Sequence, residues 1–196
     1  MENISFWVAQ LIGVEALLLL MISYTRKNTN QILVVQLLSS LSYIVHYLLL
    51  GAFSGLFICL LDFIRDILYY KSDKDNLIFL LSTPFYIFAG LMNYSILIDM
   101  LPVVASINDG YSLTKRKKIV VIGAIISCLL WIVYDYHYKS YSGVIASIII
   151  IISNVSILLF DKTIDNFPVE PKISNRKWKL SFCLLLKRKL ICYNYF

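Results

Sequence analysis

The sequence predicts an all-α membrane protein of seven transmembrane helices, two parallel three-helix units joined by a linking helix in a 3+1+3 plan. Three observations predict it. Hydrophobic residues fill 59% of the 196 positions and charged residues 15%, against about 45–50% and about 25% in soluble domains, and mean hydropathy is +0.75. Apolar runs of membrane-crossing length recur with very short polar breaks between them. Finally, the stretch Gln31–Tyr70 aligns without a gap on Ile119–Leu158, a shift of 88 positions. Few identities carry this echo (Ser39, Leu41, Ile44, Val45, Ser54, Gly55 and Ile64 against their partners). The aligned turn carries more: Phe53-Ser54-Gly55 falls on Tyr141-Ser142-Gly143. Self-similarity at a fixed period marks a duplicated unit.

A bilayer core of about 30 Å takes about 20 apolar residues of helix. On that measure the spans are Phe6–Tyr24, Gln31–Leu50, Ala52–Tyr70, Asn76–Met92, Tyr94–Asp109, Ile119–His137 and Tyr141–Phe160. The opening MENISFW has no positive run and no A-x-A site follows, so it reads as the start of span one rather than a cleaved leader. Spans two and three meet at the tight turn Gly51-Ala52-Phe53-Ser54-Gly55. Spans four and five contain Pro84 and Pro102 and are separated by Asn93 alone; membrane helices tolerate such kinks where neighbours satisfy the freed carbonyls. The expected units are residues 6–70 and 94–160, linked by helix 76–92.

Basic residues set the orientation. Arg26 and Lys27 follow span one, Lys71 and Lys74 span three, Lys115–Lys118 span five, and Lys162 with the tail span seven. Only Lys139 lies in an even connection and only Arg65 within a span. The positive-inside rule then puts the C-terminus in the cytoplasm and the N-terminus outside. The net charge of +6 is therefore a topology signal, and no nucleic-acid partner is expected. After Asp161 the chain turns into a basic tail whose RKWKLSFCLLLKRKLICYNYF alternates positive clusters with short apolar patches. Such a segment suits anionic lipid head groups, at about 1 kcal/mol per Lys or Arg.

No phosphate-binding glycine loop, HExxH or CxxC pair is present, and Cys59, Cys128, Cys183 and Cys192 lack metal or redox spacing. No cofactor, no metal and no enzymatic activity are expected. The chemistry must come from polar groups inside apolar spans, where an ionisable side chain costs about 2.5–3.5 kcal/mol on insertion scales. The candidate substrate-binding or pathway residues are Glu15, Gln36, His46, Asp62, Arg65, Asp66, Trp131, Tyr134 and Asn154. Glu15 sits near the middle of span one, as a proton or substrate contact or as an interhelical hydrogen-bonding acid. Asp62, Arg65 and Asp66 are spaced i, i+3, i+4 on one helical face, which continues through Cys59 and Gly55. They form a gate or polar lining, or a structural ion pair with Arg65 reaching toward the cytoplasm. His46 is a packing histidine or a proton relay. Gln36, Ser39 and Ser42 are interhelical glue or lining. Trp131, Tyr134 and Asp135 line a mouth or belong to the aromatic belt. Asn154, opposite Asp66 in the repeat, is a pocket amide or glue.

Several of these residues carry a family resemblance. Ala9-Gln10, Gly13-Val14, Gln36, His46 to Gly51, Ser54-Gly55 and Asp62 to Arg65 resemble the YgjV family of bacterial inner-membrane proteins. Leu101 to Val104, Trp131 to Val133, Ser142-Gly143 and Asn154 continue it, over roughly Phe6 to Phe160. Asp62 stands where the family has an asparagine, and Ser147 where an acidic residue is expected. The resemblance implies a bacterial inner-membrane protein, more distantly similar to the PnuC and SWEET transporters with their 3+1+3 helices. The leading expectation is a transporter of a small polar solute, worked by alternating access between the two units. The alternative is a non-transporting sensor or assembly protein acting through its tail and its fourth-to-fifth hairpin. A homo-oligomer is a further expected partner state.

Overall fold

A computed structural model describes residues 2–25, 29–71, 75–115 and 117–160, without the side chains of 2, 3, 23–25, 29–33, 36, 69–71 and 117. The basic tail lies outside the described residues. Among them the chain is all-helical: α1 (Glu2–Thr25), α2 (Thr29–Leu50), α3 (Phe53–Lys71), α4 (Asp75–Met92), α5 (Leu101–Leu113), α6 (Lys117–His137) and α7 (Tyr141–Phe160), with one 3-10 turn at Leu97–Met100 ahead of α5. Helices α1, α4, α6 and α7 are long and apolar enough to cross a membrane. Helix α3 reaches 19 residues but carries Asp62, Arg65 and Asp66. The 13 residues of α5 rise only about 20 Å, short of the bilayer core.

The fifth span departs from expectation. A continuous helix from Tyr94 was expected, with Pro102 inside it. Instead the chain breaks over Asn93–Ile96 and restarts. Asp99 causes the break: its Oδ2 accepts the backbone N–H groups of Ser95 and Ile96, each at 3.0 Å. Pro102 then falls in the first turn of α5, where its missing N–H would have had no helical acceptor anyway. Pro84 does sit inside α4, and the Ser82 and Thr83 hydroxyls both donate to the Phe79 carbonyl just upstream.

Neighbouring helices touch around a ring, α1–α2–α3–α5–α6–α7 and back to α1, while α4 lies against α3 and α5 at its edge. The apolar side chains turned away from the ring, such as Leu80, Phe88, Ile152 and Leu159, are exposed. That is the distribution expected where lipid rather than water is the solvent.

The two helical hairpins are built alike. Helix α2 ends in a Schellman motif: Gly51 takes φ 69°, Ala52 N–H donates to Tyr47 O and Gly51 N–H to Leu48 O. Helix α6 ends in the same motif. Lys139 takes φ 56°, Ser140 N–H donates to Asp135 O and Lys139 N–H to Tyr136 O. Glycine reaches the left-handed region freely, whereas Lys139 occupies it at about 1 kcal/mol. Each of these positions is 88 residues from its counterpart, the separation of Tyr47 and Asp135. The same interval separates the starts of α2 and α6, the starts of α3 and α7, and the ends of α1 and α5.

Candidate functional site

The buried polar groups gather in two layers. The first lies at the end of the bundle that carries the two hairpin turns. His46 Nδ1 is 2.7 Å from Ala9 O; a carbonyl only accepts, so Nδ1 bears the proton. Its Nε2 lies 2.8 Å from Ser140 Oγ. Tyr47 donates to Asp135 Oδ1 at 2.8 Å, Gly55 N–H to Tyr134 Oη at 2.7 Å, and Gln10 Nε2 to Lys139 O at 2.7 Å. Asp99 ties in the broken strap before α5, taking the Tyr138 hydroxyl on Oδ1 and offering its carbonyl to Ser54. Burial, reinforced by Asp99, pushes the Tyr138 hydroxyl up to about 12, so this bond keeps its proton across the physiological range. Trp131 stacks on Tyr47 with ring centroids 5.8 Å apart and meets Tyr134 edge to face at 5.7 Å.

Apart from the bond of Tyr138 to Asp99, the hydrogen bonds of this layer that reach α6 or its turn into α7 come from α1, α2 and α3. Close approach makes them possible. A Cβ on Gly55 would stand 2.8 Å from the Tyr134 ring and 2.9 Å from its hydroxyl. Gly55→Ala is therefore expected to cost about 1–3 kcal/mol in detergent unfolding, and to add less than that when made in a Tyr134→Ala background, where the ring it would meet is gone. An alanine at 55 as stable as the parent would contradict the packing.

The second layer centres on α3. Arg65 is 6% exposed and meets Asp62 Oδ1 at 3.0 Å and Asp66 Oδ1 at 3.4 Å. Tyr86 of α4 donates to Asp62 Oδ1 at 2.7 Å and Ser106 of α5 to Oδ2 at 2.8 Å. Arg65 Nη1 donates to Ser106 O at 3.0 Å, and its guanidinium lies 5.7 Å from the Tyr86 ring centre, within cation–π range. Asp109 of α5 adds a third carboxylate in Coulombic reach of Arg65. The ion pair anchors α3 to α4 and α5, and Arg65 is buried within the bundle.

The candidates thus separate. His46, Trp131 and Tyr134 meet in the first layer, and Asp62, Arg65 and Asp66 in the second, with Asp66 on its rim at 56% exposed. Asn154 is buried on α7, but the partners of Asp62 come from α3, α4 and α5, so the two are not brought together. Glu15 is exposed on α1, away from both layers, and the Gln36 side chain lies outside the described residues. A cavity of about 220 Å³ opens at the hairpin end between Ser5, Phe6, Leu49, Leu50, Tyr138 and Lys139; neither Asp62 nor Asn154 lines it. Gln10, Tyr47, Tyr86, Asp99, Ser106 and Asp109 were not among the sequence candidates. Two signals pointed to some of them: Tyr47 and Asp135 are equivalent under the repeat, and Asp99 stands just ahead of a helix-opening Leu-Pro. Among the described residues, Cys59 and Cys128 are free thiols, and no group of acidic, histidine or cysteine side chains is placed to hold a metal.

Neither a curated protein nor a solved structure matches the chain. The model of the Imp-YgjV family, described as bacterial inner membrane proteins, matches residues 7–162. The match covers both polar layers and all seven helices but the first turn of α1, so the exposed apolar flanks are those of a polytopic protein in the bacterial inner membrane. The chain belongs to the Imp-YgjV family.

Proposed function

We propose that the chain transports a small polar solute by alternating access between two three-helix units, α1–α3 and α5–α7, with α4 as the linking helix. One observation carries this reading. Buried polar contacts cross between the two groups of helices in two separate layers, at Gly55 and at Asp62 on α3, about 10 Å apart along the helix. The matching Schellman turns and the shared 88-residue interval support a parallel repeat, a plan in which substrate is handled near midplane between the halves. With the N-terminus outside, the hairpin layer is the outer gate and the Asp62–Arg65 layer the inner one. Opening one while the other holds would expose a solute between them, near Cys59 and Trp131, to either side in turn. Release of Arg65 from Asp62 would free a carboxylate for the passing solute.

The test is uptake and binding by the purified chain in liposomes, across sugars, nucleosides and vitamin-sized heterocycles. At least one should accumulate, and Asp62→Asn should reduce its uptake by tenfold or more. No binding by any of them, together with an inert Asp62→Asn, rejects transport. The second reading, a non-transporting sensor or assembly protein, is favoured by the extensive pairing of both layers among the described residues. Truncation after Asp161 separates the two: a lost phenotype with intact uptake supports the assembly role.

A further inference from the structure

Helix α1 presents two unlike faces. One packs inward through Ala9, Ala16 and Leu17, all buried. The other exposes Ile4, Val8, Leu11, Leu18 and Ile22, and Glu15 falls among them, also exposed. Positions 4, 8, 11, 15, 18 and 22 step by four and three in turn, the a/d spacing of a left-handed helix pair. Trp7, Val14 and Met21, likewise exposed, flank this seam at a seven-residue interval. The candidate span on α1 runs Ile4–Ile22, so Glu15 lies within one turn of its middle, at the depth where a lone carboxyl is most costly in lipid. Among the described residues no hydrogen bond or ion pair takes up that carboxyl.

We infer that α1 is the contact surface for a second copy of this chain, paired in parallel about a two-fold axis along the membrane normal. Both copies share one orientation, so the same face meets itself, as an isologous contact requires. Around that axis Glu15 meets Glu15: a protonated carboxyl of one copy donates to its counterpart, removing a polar group from lipid. A single polar residue at one a position also fixes register and partner number. Small residues elsewhere on α1 are already spent on α2 and α7, which leaves this larger-residue seam to knobs-into-holes packing. No other described span carries an exposed ionisable group near its middle in such a seam. A second copy is therefore the occupant that fits both the spacing and the chemistry, and the inference stands whether or not the chain transports.

The experiment uses the full chain in lipid bilayers, counted by single-molecule photobleaching at increasing lipid dilution. Cysteine cross-linking then locates the contact, with the four native cysteines replaced by alanine. Expected are dimers, cross-links through Leu11→Cys and Leu18→Cys, and none through Leu17→Cys on the inward face. Glu15→Gln should keep the dimer, because an amide pair can also hydrogen-bond. Glu15→Leu should weaken it about tenfold, the size of one interhelical hydrogen bond in a membrane. Because Glu15 makes no hydrogen bond or ion pair among the described residues, both variants should fold, which unchanged elution in detergent would verify. Three results overturn the inference: monomers at every dilution, cross-links mapping to another face, or a dimer indifferent to Glu15→Leu.

Discussion

Replacing Arg65 with leucine should destabilise the bundle by about 3–5 kcal/mol, the usual cost of removing one partner from a buried pair. The guanidinium is 6% exposed and its partner Asp62 25% exposed, so water can only partly replace it. Asp62 would keep the hydroxyls of Tyr86 and Ser106, but its charge would lose the buried counter-ion it has in Arg65, with Asp66 and Asp109 still nearby. The second variant makes the prediction specific. Adding Asp62→Asn removes the orphaned charge while leaving a carbonyl to accept from Tyr86, and should recover more than half of the loss. Denaturation of the detergent-solubilised protein, followed by tryptophan fluorescence, measures both. A cost below about 1 kcal/mol for Arg65→Leu alone would mean that the charges are solvated, as in an exposed pair. No recovery in the double variant would mean that Arg65 acts by packing on Tyr86 rather than by charge.

What the sequence made legible follows from how strongly each feature is written along the chain. Apolar length and turn chemistry are local, and five of the seven helices start and stop within two residues of the expected spans, while α1 begins four residues earlier and α5 seven residues later. The i, i+3, i+4 set on α3 is local as well, and its ion pair is present. The partners of that set are not local. Tyr86 and Ser106 lie 24 and 44 residues from Asp62, on helices whose rotation no periodicity fixes when nearly every face is apolar. The same uniformity left Glu15 open: its depth is readable from the sequence, but the side of α1 it occupies depends on how α2 and α7 pack. His46 shows a third case. A lone histidine among leucines gives no hint of which hydroxyl or carbonyl it meets, and Ser140 is 94 residues away. The repeat offered the best long-range guide. It pairs Tyr47 with Asp135, which do meet, and Asp66 with Asn154, equivalent positions on two helices that need not touch.

Asp99→Ala should be the most damaging change in the hairpin layer, at about 3 kcal/mol or more. One carboxylate there serves three donors: Tyr138 on Oδ1, and the backbone N–H groups of Ser95 and Ile96 on Oδ2. Bonds to a charged acceptor contribute about 1.5–3 kcal/mol each, and neighbouring losses do not simply add. Alanine would also release the strap that seats the 3-10 turn, through which the Asp99 carbonyl holds Ser54 of α3. Comparison with Tyr138→Phe apportions the effect. That variant loses one bond and leaves the strap capped, so it should cost about 1–2 kcal/mol. Asp99→Asn should fall between the two, because an amide oxygen still accepts from the backbone. If Asp99→Ala and Tyr138→Phe cost the same, the carboxylate serves only to bind Tyr138 and the strap is held by its backbone alone. If the ranking is as expected, the break in the fifth span is a built element: its acid fixes where α5 begins and ties α3 to the α6–α7 hairpin.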